Sequence, residues 1–267
     1  MEQTEYPPMS GSNIICVTTV LLETGIIEMK EPITKLRLES PAGLIDVTAT
    51  CKEGNVQRVE FLNVPGFAVH IDIPLDIPDY GTIQVDIAWG GMFFVLADAK
   101  QFNIDPIAEN GADIVRACEA MRHASVEQFP VTHPENPDIK GPTISALTAD
   151  PTDFSKQGRG AISVSTGPYI QGKVTGALDR SPCGTGTCAK MAVLYAKGLL
   201  AINENYVNAG PLGTTFTGKI VETTKIGKYE AIVPTLSGRA WITGISQYTL
   251  DTSDPFQTGF TVGDIWG

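Results

Sequence analysis

No run of about 18 apolar residues occurs in this chain, so it offers no helix able to span a bilayer, and no membrane partner is expected. Basic residues are scarce as well. Nineteen Lys and Arg stand against 30 Asp and Glu, for a net charge of −11, and no Lys/Arg cluster breaks the acidity. Such a field repels phosphate backbones, which excludes nucleic acid as a partner. The three histidines, His70, His123 and His133, are scattered without metal-ligand spacing and read as structural. Cysteine is too sparse for a disulfide framework: the five lie at 16, 51, 118, 183 and 188, an odd number without paired spacing. No zinc pair is formed either, and a reducing compartment follows. The opening MEQTEYPPMS lacks the basic and apolar regions of a signal peptide, which points to the cytoplasm. What is present is a globular composition, 42% hydrophobic and 18% charged over 267 residues. That length builds one large domain or two ordinary ones, and two is the reading taken.

Along the chain, Ile14 to Thr24 reads as a buried helix stopped at Gly25. LRLES, GLIDVTAT and VQRVEFLNV follow as strands separated by turn signals. TIQVDIAW and MFFVLADA flank Gly90-Gly91, a bulge or a tight approach within a sheet. Asp105 to Phe129 has helical character. The Pro-, Asp- and Thr-rich stretch 130–158 is the expected boundary, giving lobes over 1–140 and 141–267. The second lobe opens with GAISVST, continues with a helix over Ala189 to Leu200, and ends in strands TTFTGKIVETTKI, YEAIVPTL and RAWITGISQYTL. Each half thus runs Gly-rich turn, apolar helix, strands. Placing Ser10 on Cys183 without gaps matches Gly11 to Gly184, Ser12 to Thr185, Val20 to Val193, Leu21 to Leu194 and Gly25 to Gly198, the signature of a duplicated unit.

The chemistry this permits follows from helix termini. A small nucleophilic or acid/base side chain before a helix stands beside unpaired backbone N–H groups, which suit a carboxylate. The dipole there lowers a thiol's pKa from about 8.5 toward neutrality, so Cys183 is a credible acid or base. Serine gains no such benefit, although an alcohol still relays a proton. Two such N-termini facing one cleft would grip a carboxylate with an acid/base group on either face of its α-carbon. Ser10 alone would read as a helix cap. The open turn around Cys183, Ser181-Pro182 before and Gly184-Thr185-Gly186-Thr187 after, sets it apart from a packing cysteine. Cys16, Cys51, Cys118 and Cys188 read as packing. Asp179 reads equally as a turn residue or as the partner of a substrate ammonium.

DRSPCGTGTCAKMAVL closely resembles the second cysteine motif of the proline racemase family, and PPMSGSNIICVTTVLLETG resembles its first, where many members have Met-Cys-Gly-His. NVPGF, VDIAWGGMFF, GRAWITG and FTVGDIWG resemble family stretches in the same order. The resemblance implies an α/β (α+β) fold like that of diaminopimelate epimerase: two pseudo-symmetric lobes, each a curved sheet around a central helix, with the site in the cleft between them. It implies no cofactor and no metal, and a small-molecule substrate, proline or a hydroxyproline. A homodimer is left open. By motif, Ser10 and Cys183 take the catalytic places, Gly11, Ser12, Gly184 and Thr185 those that hold the carboxylate, and Asp179 that of the group at the ring nitrogen. Ser10 replaces a thiol and Ser12 the family histidine, which argues against a symmetrical two-thiol racemase. The family also carries a strand-rich segment before the first motif, whereas nine residues precede Ser10 here. The expectation is a first lobe with exposed apolar surface and a sheet edge, and a chain unstable or inactive alone. The reaction expected is dehydration of trans-3-hydroxy-L-proline to Δ1-pyrroline-2-carboxylate, with or without 2-epimerisation. The alternatives are 4-hydroxyproline 2-epimerisation, proline racemisation, and a non-catalytic amino-acid binder or inactive fragment.

Overall fold

The structure, a computed structural model, describes residues 7–149 and 157–259. The FTVGDIWG stretch lies outside them. Helix α1 (Gly11–Glu23) is followed by strands β1 (Ile33–Ser40), β2 (Gly43–Lys52), β3 (Asn55–Leu62), β4 (Gly66–Ile77), β5 (Gly81–Trp89) and β6 (Phe93–Asp98). After helix α2 (Gly111–Gln128) come β7 (Val131–His133), β8 (Asn136–Gly141), β9 (Ile144–Ala149), β10 (Gln157–Ser165) and β11 (Gly176–Leu178). Helix α3 (Gly184–Ala196) and strands β12 (Asn205–Ala209), β13 (Thr215–Ile226) and β14 (Tyr229–Gly238) complete the described chain.

Strands β4, β5, β6, β9, β10, β12, β13 and β14 form a continuous path, and β14 pairs back onto β4, so the sheet closes into a barrel. Helix α3 runs inside it, against β4, β5, β13 and β14, and its residues Gly184 to Leu194 are all buried. GTGTCAKMAVLYA has small or apolar residues on every face and a single charge, Lys190, which reaches Thr148 Oγ1 at 3.3 Å, a pattern that suits such an enclosure. Helix α2 packs outside on β4, β9 and β10. Strands β5 and β6 are therefore covered on both faces. Val85, Ile87, Phe93 and Val95 face α2, while Ala88, Phe94 and Leu96 join the α3 side, which explains the unbroken apolar runs VDIAW and FFVLA. The parallel pairing of β6 with β9 (Phe94↔Ile144) carries the sheet across residue 140 without a break.

Strands β1 to β3 extend the sheet from β14, and α1 lies on them. Strand β2 alternates Ile45, Val47, Ala49 and Cys51 inward, and Ile14, Ile15 and Leu22 of α1 meet them at helical spacing. Burial corrects two readings here. Helix α1 is buried on one face only, because Val17 and Val20 are exposed, and Cys16 is exposed rather than a packing residue. RAWITGISQYTL forms no strand: from Arg239 to Leu250 it pairs with nothing among the described residues, and a lone extended segment has no ladder to join. Of the stretch 130–158, residues 130–149 supply the β7–β8 hairpin and barrel strand β9, where the composition suggested a linker, and residues 150–156 lie outside the described residues. Among the described residues no helix is long and apolar enough to cross a membrane.

Candidate active site

The N-termini of α1 and α3 meet. A Cβ placed on Gly184 would lie 2.6 Å from the Cα of Gly11, and one on Gly11 would lie 2.8 Å from the Cα of Gly184. Only glycine at both positions permits this approach. The helices are alike in other respects: each has 13 residues, and each stops at a left-handed glycine, Gly25 (φ 74°) and Gly198 (φ 71°). Their first turns bring unpaired N–H groups to one place, an arrangement suited to a carboxylate.

Cys183 is the N-cap of α3, with φ 57° and ψ 116°, a left-handed conformation that costs a non-glycine residue strain. Its Sγ accepts from the Gly186 N–H at 3.4 Å and lies 3.7 Å from Thr185 Oγ1. A ladder of short bonds holds it there. The Ser181 N–H donates to Asp179 Oδ1 at 2.8 Å, and the Cys183 N–H donates to Ser181 Oγ at 3.0 Å. Behind the turn, Asn208 Nδ2 donates to Pro182 O at 3.1 Å and to Thr187 Oγ1 at 2.9 Å. Ser10 is different. It takes the N-cap position of α1 with ordinary extended backbone, φ −135° and ψ 106°, yet its hydroxyl makes no capping bond. Among the described residues no cap bond occupies the hydroxyl.

Ser10, Ser12, Asp179, Cys183 and Thr185 line one cavity of about 30 Å³, together with Gly11 and Gly184. All seven residues singled out from the sequence meet there. The opposite walls are apolar: Met9, Met92, Ile144, Ile162 and Val164. These five were missed, although the period-two spacing of Ile162 and Val164 on β10 and the position of Met92 just after Gly90-Gly91 carried the signal. The volume admits about one or two waters, so a five-membered ring enters only as the walls part. Enclosure raises the Asp179 carboxyl above its ordinary range. Hydrogen bonds from Ser181 and from the Cys183 side chain, and the charge of Arg180, pull the other way. Burial pushes the Cys188 thiol, on the same helix, up to about 12, which suits packing rather than proton transfer.

A larger cavity, about 880 Å³, opens between α2, the β7–β8 hairpin and the loop after β10. It holds neither helix N-terminus. Its Arg122 is already paired to the buried Glu119 at 2.9 Å, and His123 stacks on Tyr169 at 4.5 Å, so size alone does not make it the reactive site. His133 likewise lies against the Trp89 ring at 4.8 Å, in keeping with a structural role.

Comparison with known proteins adds a second line of evidence. A probable proline racemase from Agrobacterium radiobacter K84, solved with bound carbonate, is 36% identical and superposes with a TM-score of 0.85, over 97% of this chain and 73% of that one. A hydroxyproline epimerase from Agrobacterium vitis, solved with trans-4-OH-L-proline, is 34% identical with a TM-score of 0.85, over 97% and 72%. A Bacillus anthracis phenazine biosynthesis protein of the PhzF family shares the fold alone, at 12% identity and a TM-score of 0.51, over 87% of this chain and 73% of that one. The sequence matches the proline racemase family over residues 1–261, and the chain belongs to that family.

Proposed function

We propose that this protein removes the Cα proton of a proline-type substrate without a cofactor, and that its substrate is trans-3-hydroxy-L-proline, which it dehydrates. The observation that carries the reading is the unequal pair in one cavity: a thiol held by the Gly186 N–H, and an alcohol free of its cap. A thiolate at a helix N-terminus is populated near neutral pH, whereas an alkoxide is not. One face of the α-carbon therefore has a strong base and the other only a weak donor. Reprotonation with inversion is then slow, and a hydroxyl β to the carbanion leaves instead. In this reading the Cys183 thiolate takes the proton, and Ser10 relays it: its hydroxyl protonates the departing hydroxyl, which leaves as water, while its oxygen is reprotonated at the expense of the Cys183 thiol, so both groups return to their starting states. The cyclic enamine tautomerises to Δ1-pyrroline-2-carboxylate. The N–H groups of the two first turns, at Gly11-Ser12 and Gly184-Thr185, hold the carboxylate, and Asp179 takes the ring ammonium. The apolar far wall of Met92, Ile144, Ile162 and Val164 supports a hydroxyl near the α-carbon over one at the distal ring position, where it would lack a partner.

The bound trans-4-OH-L-proline of the Agrobacterium vitis epimerase favours a second reading, 4-hydroxyproline 2-epimerisation. The equal lengths and meeting N-termini of α1 and α3 support the finer expectation of two pseudo-symmetric lobes about one cleft. Five free cysteines, with exposed Cys16 among them, support a reducing, cytoplasmic setting.

Proton NMR in D2O, with trans-3-hydroxy-L-proline, trans-4-hydroxy-L-proline and L-proline supplied separately, tests the reading. Conversion of the 3-hydroxy substrate to the pyrroline is expected. Deuterium at Cα with inversion of the 4-hydroxy substrate, and no water loss, would establish the epimerase instead. Silence with all three, matched by Cys183→Ala, would leave a binding protein or an inactive chain.

A further inference from the structure

Beside the meeting helix N-termini lies a third element, of which the chemistry above uses only the Met92 side chain. The turn Gly90-Gly91-Met92, closed by the Gly90 N–H donating to Met92 O at 3.1 Å, is wedged against both arms of the site. A Cβ on Gly90 would lie 2.3 Å from Thr185 O and 2.4 Å from Ala189 N, so its backbone rests directly on the first turn of α3. A Cβ on Gly91 would lie 2.9 Å from Thr185 Cγ2 and 3.1 Å from Met9 Cβ, and Met9 is the residue before Ser10. Met92 then forms part of the cavity wall. The turn thus touches the residue preceding one candidate catalytic group and the second residue after the other. Among the described residues a single side chain holds its carbonyl: Asn63, 3% exposed, donates from Nδ2 to Gly90 O at 2.8 Å. The backbone of Asn63 is itself fixed, its N–H donating to Pro234 O of β14 at 2.9 Å. Among the described residues the buried Asn63 Oδ1 has no hydrogen-bond partner, and the Asn63 amide also meets the Cys188 thiol of α3, a titratable group facing it from the packed helix, itself pushed up to about 12 by burial.

We propose that Asn63 is a positioning residue: by holding the Gly90-Gly91-Met92 turn as a spacer, it sets the separation of Ser10 and Cys183 and seals the cavity wall at Met92. The inference rests on the two-residue acid/base reading of the site, and its test has one arm that does not. Asn63→Ala frees the Gly90 carbonyl and lets the turn drift, while Asn63→Asp keeps the shape and donates only when protonated. A buried carboxyl resists ionisation, so the aspartate variant donates at lower pH and loses its bond as pH rises.

In the kinetic arm, Asn63→Ala is expected to lower kcat for Cα–H exchange about 10-fold or more per folded molecule, with KM changed less. Asn63→Asp is expected to recover toward wild type as pH falls. The second arm alkylates the folded protein with iodoacetamide and reads each cysteine by mass spectrometry. Cys183, 8% exposed, is expected to label faster in Asn63→Ala, while Cys118, 0% exposed on α2, stays protected and exposed Cys16 is unchanged. Labelling of Cys183 and Cys118 that rises in step would mean general loosening and would overturn the proposal. So would a kcat unaffected by Asn63→Ala alongside a lowered melting temperature. Faster labelling of Cys183 alone, in a chain that exchanges no substrate, would keep the spacer and sink the catalytic reading instead.

Discussion

Gly184→Ala tests the meeting of the two helices most directly. The new Cβ would sit 2.6 Å from Gly11 Cα, 3.2 Å from Gly11 C and 3.2 Å from Leu236 Cδ2. Carbon atoms pack at about 3.5–4.0 Å, so the N-termini must separate by roughly 1 Å. The Leu236 methyl is a side-chain end that can shift, but both Gly11 contacts, the nearest included, are backbone and cannot swing away. Overpacking of this kind costs about 1–3 kcal/mol of stability. The larger effect is on rate, because a displacement of that size between reacting groups costs about 100-fold. The assay is deuterium incorporation at Cα of the active substrate, followed by NMR, with thermal unfolding measured on the same preparation. Gly198→Ala is the control. It sits at φ 71° with nothing within 4 Å of a new Cβ, so it should lose about 1–2 kcal/mol to strain and keep its rate constants. A Gly184→Ala enzyme within about threefold of wild type in kcat would show that the contact does not set the catalytic geometry.

Three further outcomes follow from the same geometry. Ser10→Cys, which restores a thiol on each helix, should raise the ratio of inverted, Cα-deuterated product to pyrroline by about tenfold or more, read by NMR. Asp179 holds its proton in the folded state to a pH above its ordinary value of 3.8, so its contribution to stability is full below that value and lost as pH rises through the raised one. Asp179→Asn should accordingly melt higher than wild type near neutral pH, converge with it in acid, and show a raised KM. Lys197, the C-cap of α3, reaches Asp86 at 3.0 Å and Asp72 at 2.7 Å. Lys197→Met leaves the buried Asp86 unpaired and should cost about 1–3 kcal/mol in urea unfolding, with kcat per folded molecule unchanged.

Much of the site was legible because helix termini write themselves into sequence. Gly11 and Gly184 start the helices, Gly25 and Gly198 stop them, and the gapless match between the halves of the sequence sets Ser10 opposite Cys183. The two helices nevertheless differ in burial, because one is enclosed by a barrel and the other covered on a single face. That depends on which strands close around each helix, a long-range pairing with no local signal. Strand β4 shows the same limit: GFAVHIDIPLDI bends at a register shift between His70 and Ile73, which blurs its alternation. Arg239 to Leu250 fails in the opposite direction, since β-branched and aromatic residues raise strand propensity but supply no neighbour to bond. The spacer turn was visible only as a pair of glycines. Its role depends on Thr185, Met9 and Asn63, none adjacent to it in sequence.

The backbone at the two caps separates the roles that the repeat leaves equal. In both halves the helix length, the first glycine and the stop are the same, but Ser10 sits in relaxed extended geometry whereas Cys183 is held at φ 57°, ψ 116°. A strained residue of this kind costs about 1–3 kcal/mol and persists only where its surroundings over-determine it. Those surroundings are present: Asp179 and Ser181 hold the turn through backbone N–H groups, and Thr187 and Asn208 brace it from behind. Among the described residues nothing comparable fixes the Ser10 side chain. A base that must meet one proton along one line gains from being fixed, whereas a group that hands a proton to a departing hydroxyl must follow an atom that moves. The fixed thiol and the free alcohol therefore fit elimination better than they fit a symmetrical exchange of protons, for which two equally constrained groups would be required.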